Sequence, residues 1–333
     1  MTLYFPPLIY VFFLLSGTLM TLSSHSIFGM WFGLELNLMA FMPIITNLEN
    51  NKKSSEASIK YFIIQVISST FFLLFCFLFY ETQTSSFMSM QMMSIITVTI
   101  GLKLGLAPLH FWFPEVMEGL NWSNTLIMLT WQKLAPLFIL SILHNYMTLI
   151  LFILFSSFMG AISGLNQTSL RKILAFSSIS HLSWMGSLIM IKSKLWLNYL
   201  MIYSLTSFIL CLSFWYYSMN YLSQLLETKD LMKKMVFFIN LLSLAGLPPL
   251  LGFLPKFMAI SLLLSNISIL MILIFFSLIT LYFYTRLGFS IFTLSIQENK
   301  KNFKMEESKT FVMVSSLSLF SLVGFFPFFV ILK

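Results

Sequence analysis

The sequence predicts an all-α polytopic membrane protein with about eleven transmembrane helices: two inverted five-helix repeats, each with a broken helix, plus a C-terminal helix. Three observations predict it. Of the 333 residues, 58% are hydrophobic and only 9% charged, against about 25% charged in soluble domains. Mean hydropathy is +0.90, which excludes a water-soluble fold. The apolar stretches reach about 20 residues, the length of a spanning helix, and exceed the ~10 alternating residues of a barrel strand. Finally, Pro/Gly breaks interrupt two of the stretches at corresponding places.

In chain order the expected spans are 3–22, 26–46, 58–79, 88–110, 122–143, 147–166, 173–191, 195–219, 235–262, 266–290 and 310–332. The fourth breaks near its end at Gly105 and Pro108, in GLKLGLAPLHFWFPEV. The ninth breaks at Gly246, Pro248, Pro249 and Gly252, in LAGLPPLLGFLPKF. Each is the fourth helix of a five-helix unit, 1–143 and 147–290, with 291–333 supplying a loop and the last helix. An odd number of spans per unit turns the second unit upside down relative to the first. Paired broken helices in inverted repeats point to a transporter's working site, because irregular backbone at membrane depth has to be buried or line a hydrated cavity.

No loop is long enough for a globular domain; the longest, 287–309, is polar and lysine-rich and is expected to cap one membrane face. Redox centres and nucleotide sites are therefore expected on other chains. Cys76 and Cys211 fall singly in separate spans and read as small apolar core residues, with no disulfide and no ligand set. There is no metal cluster, nucleophile triad or phosphate loop.

The net charge of +8 is distributed as in a membrane protein, not a nucleic-acid binder. The side shared by the N-terminus carries Lys52, Lys53, Lys60, Arg171, Lys172, Lys229, Lys233, Lys234, Arg286, Lys300, Lys301, Lys304 and Lys309. The other carries Lys192, Lys194 and Lys333. Thirteen cations against three is a positive-inside asymmetry. It places the N-terminus toward the compartment of synthesis and the C-terminus on the far side. No cleavable signal or Arg-rich presequence precedes the first span. Heavy Phe, Met, Ile and Asn usage with scarce Arg fits an AT-rich genome, so the chain reads as one made inside an organelle and inserted locally.

The remaining cations, Lys103, Lys133 and Lys256, lie inside spans, as does Glu35. A charge at the bilayer centre costs at least ~3 kcal/mol, so each is a candidate site residue for moving protons or ions. Glu35, halfway along the second span in MWFGLELNLMAF, needs a cation and is matched with Lys103, which precedes the first break. Freed carbonyls near Pro108 offer Lys103 further partners. Burial disfavours a charged lysine, so its proton can depend on an approaching carboxylate. Lys133, in TLIMLTWQKLAPLF, has no acidic partner in sequence and is too central to snorkel, which makes it the switchable carrier. Pro136 loosens the backbone one turn on. Lys256, past the second break, is a release-side proton site or a snorkelling residue. His181, mid-span in SLRKILAFSSISHLSWMGS, can relay between Lys133 and Lys256, with Ser177, Ser178, Ser180 and Ser183 holding waters or packing helices.

Other polar features have plainer readings. Glu115 and Glu118 look interfacial: a solvated face, a proton access point or a subunit contact. His110 anchors the interface, and His25 and His144 lie near loops. Gly101 and Gly105 match close-packing spacing. The glycosylation-like triplets at Asn121, Asn166 and Asn266 are noise.

Taken together, KLGLAPLHFWFPEV with TWQKLAP, SLRKILAFSSISHLSWM and LAGLPPLLGFLPKF resemble the antiporter-like membrane subunits of respiratory complex I (NADH:ubiquinone oxidoreductase) and of multi-subunit cation/proton antiporters. The resemblance runs over essentially the whole chain, and the order and spacing of the motifs make it specific. The family's full fold has more helices; this chain resembles the animal form without the first ones. The resemblance implies that Glu35 and Lys103 are the coupled carboxylate–lysine pair of the first half-channel. Lys133 is then the central lysine, His181 the linking histidine and Lys256 the lysine of the second broken helix. It implies that this chain binds no cofactor; NADH, FMN, iron–sulfur clusters and ubiquinone belong to other subunits. It also implies a mitochondrial inner membrane location, with the N-terminus in the matrix and the C-terminus in the intermembrane space. Partners would be other membrane and accessory subunits and lipid, not nucleic acid. Two alternatives stand beside it: a cation/proton antiporter subunit, and a structural spacer whose charges only hold helices together.

Overall fold

A computed structural model describes residues 7–46, 52–81, 86–227, 231–248 and 250–293. These residues form α1 (Pro7–Ser23), α2 (Ile27–Thr46), α3 (Lys52–Glu81), α4 (Ser86–Leu104), α5 (Trp112–Gly119), α6 (Trp122–Leu129), α7 (Trp131–Ile142), α8 (Tyr146–Gly164), α9 (Leu170–Met190), α10 (Leu195–Tyr216), α11 (Leu222–Glu227), α12 (Leu231–Ala245), α13 (Phe253–Leu263) and α14 (Ile267–Thr293). Among the described residues, β pairing amounts to an isolated bridge between Ser169 and Tyr221. Among the described residues, seven helical segments are long and apolar enough to cross a membrane; α1, α4, α12 and α13 are shorter apolar helices. The expected span 310–332 lies outside the described residues.

The fold is a bundle built around α9. Every residue of that helix except Arg171, Lys172 and Ser180 is buried. A helix hydrophobic on one face alone would not sit there, and α9 manages its serines locally. The hydroxyls of Ser177, Ser178, Ser180, Ser183 and Ser187 donate to carbonyls three residues back at 2.6–2.9 Å, so each is satisfied without a tertiary partner. On the outer helices the pattern reverses: α1, α3 and α14 expose large apolar side chains such as Phe12, Phe77 and Phe275, as lipid-facing surfaces require. Helix α3 has 30 residues, about 45 Å of helix against roughly 30 Å of hydrocarbon. Its first turns, with Lys52, Lys53 and Lys60, therefore extend the membrane face on which a loop was expected.

Three expected spans are broken, two of them at the glycines the sequence marked and the third unexpectedly. The fourth stops at Leu104, where Gly105 has φ +72°, and the chain resumes as α5 where a loop was expected. The ninth divides into α12 and α13 around Gly246, φ +79°. Left-handed backbone of this kind suits only glycine without strain. The fifth, expected to be continuous, is interrupted at Thr130 (φ −113°, ψ −71°) between α6 and α7. Pro136 lacks the N–H that would bond the carbonyl of Gln132. The Thr130 hydroxyl takes the carbonyl of Leu126 at 2.7 Å, and Lys133 N–H turns to Thr130 at 3.3 Å. Helix α11 was not foreseen, and Lys234, read as a loop-edge cation, is buried in α12.

Gly246→Ala should destabilise the protein by about 1–2 kcal/mol. Its Cβ would lie 3.0 Å from Lys256 Cδ and 3.1 Å from the Gly252 carbonyl oxygen. Thermal unfolding in detergent should show the loss, and an unchanged melting temperature would contradict it.

Candidate functional site

The candidate residues converge on the bundle interior from five helices. Lys103 ends α4 and is 6% exposed; Lys133 lies in the first turn of α7, 2% exposed; Lys256 lies in the first turn of α13, 7% exposed. His181 is buried on α9, and Glu35 is half-buried on α2.

Glu35 does not reach Lys103. Among the described residues no ion pair within 4.0 Å joins them, yet the carboxylate is close enough for its charge to act on Lys103 and on Tyr61 of α3. The helical period explains the gap. Leu34, Asn37 and Leu38 occupy the face of α2 that lines the interior, and Glu35 stands one position off that stripe. The freed carbonyls of the first break are also taken by others. Trp112 Nε1–H donates to Leu102 O at 3.1 Å and Gln65 Nε2–H to Lys103 O at 3.3 Å. Lys103 instead lines a cavity of about 20 Å³ that Lys133 also lines, together with Asn37, Tyr61, Gln65 and Gln132. That volume admits a water. Three buried atoms on its wall, Asn37 Oδ1, Gln132 Nε2 and Lys133 Nζ, have no hydrogen-bond partner among the described residues.

Lys133 is held by rings. Its Nζ lies 4.9 Å from the centroid of Tyr203 and 5.6 Å from that of Phe113, both within cation–π range. The Tyr203 ring also packs on His181, centroids 4.9 Å apart. His181 Nδ1 shares a 2.9 Å hydrogen bond with the Tyr199 hydroxyl, and the charges of Lys133 and Lys256 both act on its ring. Lys256 does not snorkel. Its Nζ donates to Ala245 O at 2.7 Å, at the C-terminus of α12, where the aligned peptide dipoles favour a cation. A second cavity, about 10 Å³, is lined by His181, Lys256, Ser157, Ser180, Ser183 and Thr280. Lys103, Lys133, His181 and Lys256 thus form one file of titratable groups, with one polar cavity shared by Lys103 and Lys133 and another by His181 and Lys256.

Glu115 and Glu118 are engaged in ion pairs. Lys60 meets Glu115 and Lys172 meets Glu118, each at 2.6 Å. Arg171 donates to the Glu118 carbonyl and to Asn220 Oδ1 and stacks over Trp122 at 5.4 Å. Helix α5 is thereby tied to α3 and α9; such partly exposed pairs contribute little stability individually. His110, read as an interface anchor, is buried beside Phe111 and Phe176. Gly101 packs directly on the Phe152 ring of α8. Cys76 and Cys211 are buried and free. No group of His, Cys, Asp and Glu that could hold a metal occurs among the described residues.

Sequence reasoning missed Tyr61, Gln65, Gln132, Tyr199 and Tyr203. Gln65 in FIIQVISS and Gln132 beside Lys133 stand out as amides in apolar runs and were there to be found. Tyr199 and Tyr203 share a helix face at a spacing of four, but tyrosines in membrane helices are too common for that to single them out.

Residues 24–282 match the family model described as the membrane domain of NADH:quinone oxidoreductase and Mrp antiporters. The chain belongs to this family. It is 43% identical to the NADH-ubiquinone oxidoreductase chain 2 of Anopheles gambiae, over 95% of each chain. It is 38% identical to that of Mus musculus, over 92% of each. In fold it is similar to a chain of respiratory complex I from Thermus thermophilus (TM-score 0.83, 24% identity, 96% of this chain and 78% of that one). It is also similar to a chain of the Mrp complex from Dietzia sp. (TM-score 0.82, 13% identity, 97% of this chain and 75% of that one).

Tyr199→Phe should leave His181 Nδ1 buried without its partner, at a cost of about 1–3 kcal/mol, and change the imidazole tautomer. Nitrogen NMR of histidine-labelled protein should register the change at one of the four histidines; an unaltered spectrum would contradict the assigned bond.

Proposed function

We infer that the chain is the chain 2 membrane subunit of respiratory complex I, coupling electron transfer from NADH to ubiquinone to proton translocation. Its close identity to chain 2 proteins over nearly their whole length supports the assignment. The observation that carries the mechanism is the file of buried titratable groups, Lys103, Lys133, His181 and Lys256, with a polar cavity at each end of the file and the Tyr203 ring at its middle. An inert spacer has no use for an ammonium without a hydrogen-bond acceptor at its centre. The antiporter reading shares the fold but not the identity.

In this reading, quinone chemistry in a neighbouring subunit alters the charge beside Glu35. Its carboxylate acts on Lys103 through space, so a change there alters how firmly Lys103 holds its proton. The cavity water carries the change to Lys133. Lys133 has no acceptor for its ammonium, so its charge state responds readily to a neighbour's. His181 passes the change on to Lys256, whose ammonium rests on the Ala245 carbonyl until the release step. Protons enter from the basic side, the matrix, and leave toward the intermembrane space. The N-terminus faces the matrix and the C-terminus the opposite side of the mitochondrial inner membrane.

The architecture that serves this is eleven spans: repeats 1–143 and 147–290, inverted relative to one another, and a terminal segment 291–333. The breaks after Leu104 and Ala245 fall at corresponding places in the two repeats, which supports that arrangement. The chain itself binds no cofactor; NADH, FMN, iron–sulfur clusters and ubiquinone are held by other subunits. Its partners are the other membrane and accessory subunits and lipid, and no nucleic acid.

Lys133→Met should reduce coupled proton translocation by roughly 10²-fold, the scale of removing a positioned acid–base group, while the complex still assembles on a native gel. Full turnover with normal pumping in that variant would overturn the mechanism.

A further inference from the structure

The file of titratable groups has one non-titrating step, between Lys133 and His181, and a single side chain occupies it. The first cavity ends at Lys133 and the second begins at His181; Tyr203 lines neither. Its ring centroid lies 4.9 Å from Lys133 Nζ and 4.9 Å from the centroid of the His181 ring. The side chain is 3% exposed. Lys133 Nζ has no hydrogen-bond acceptor among the described residues, and a buried ammonium without one is costly unless something else compensates it. The two ring faces near it are that compensation, and Tyr203 is the nearer.

We propose that Tyr203 is the positioning residue of the central proton step: its ring holds the Lys133 ammonium and, packed against His181, keeps the two cavities apart. The inference rests on the reading that Lys133 carries a proton, and it adds what keeps that proton in place and what prevents it from short-circuiting to Lys256. A charge on Lys133 also acts on His181, and both side chains pack on the Tyr203 ring, so the proton passes when their states exchange.

The titratable groups around Lys133 are Tyr61 on α3, Lys103 on α4, His181 on α9 and Tyr203 on α10, with Glu35 on α2 acting on Lys103 and Tyr199 on α10 bonded to His181. Helix α5, which supplies Phe113, carries Glu115 and Glu118, both in ion pairs with lysines of α3 and α9. Helix α6 has no titratable residue and α1 only Tyr10. Of these, Tyr203 is the one whose ring lies under Lys133 Nζ, at 4.9 Å, so its removal should act directly on the proton affinity of Lys133 as well as loosening the packing of His181.

The test uses intact complex I in native membranes and measures protons translocated per NADH oxidised, from neutral to alkaline pH. In Tyr203→Leu the alkaline limit of pumping should move to lower pH by about one unit, because the ringless site holds the cation less well. Tyr203→Phe keeps a ring and should keep the limit where the unaltered protein has it, whatever its rate. A packing defect alone would lower pumping at all pH values and leave the limit in place. If Leu reduces assembly on a native gel, Tyr203→Met, also ringless, is read in the same way. An unmoved limit in the ringless variant, or a limit in Tyr203→Phe that moves as far as in Leu, overturns the proposal. Lys133→Met is run alongside. If it fails to pump while the ringless limit stays put, the role of Tyr203 alone fails; if it pumps normally, the proton-carrier reading fails as well.

Discussion

An ammonium group at membrane depth has to be compensated by the protein that carries it, and the interior of this bundle is arranged around three of them. Insertion of each costs at least ~3 kcal/mol if nothing answers it. Two are answered by helix ends. Lys256 donates to the last carbonyl of α12, and Lys103 sits in the last turn of α4, both at the negative pole of an interrupted helix. Those poles exist at mid-depth only because Gly105 and Gly246 turn the chain into left-handed backbone. The breaks are thus part of the electrostatics as well as the shape.

Lys133 is the exception, and in the proposed mechanism that exception is what suits it to carry a proton. It lies at the start of α7, the pole that disfavours a cation, and it has aromatic faces in place of an acceptor. A group held this weakly changes state when its neighbours do. Its surroundings are fixed by more rigid parts: α9 is buried almost all round, its serines bonded within the helix, and His181 is oriented by Tyr199. A stiff frame around a weakly compensated charge is what a relay needs. The charged cluster on α5 ties α3 to α9 at the membrane face and so holds the first cavity's walls in register with the second.

Much of the site was legible in the sequence because charge in an apolar run is conspicuous. Lys103, Lys133, Lys256, His181 and Glu35 declared themselves by cost alone, and Gly105 and Gly246 marked two of the breaks. Geometry within a helix face was less legible. Glu35 and Lys103 were expected to meet, but one position of helical phase keeps the carboxylate off the cavity stripe. The break at Thr130 carried no glycine, and its only signal, Pro136, lay six residues on. Tyr203 and Tyr199 were hidden because aromatic residues are ordinary in membrane helices and their roles depend on what α9 and α7 bring to them. Lys234 read as a loop cation because burial at a helix end is decided by neighbouring helices, not by the local run.

The most direct test of this account is the position of water in the intact complex, seen by electron cryomicroscopy at a resolution where single waters are visible. An ordered water should lie within hydrogen-bond reach of Lys133 Nζ and Gln132, another between His181 and Lys256, and none beside the ring of Tyr203. An unbroken water file from Lys103 to Lys256 that bypasses Tyr203, or a dry cavity at Lys133, would contradict it.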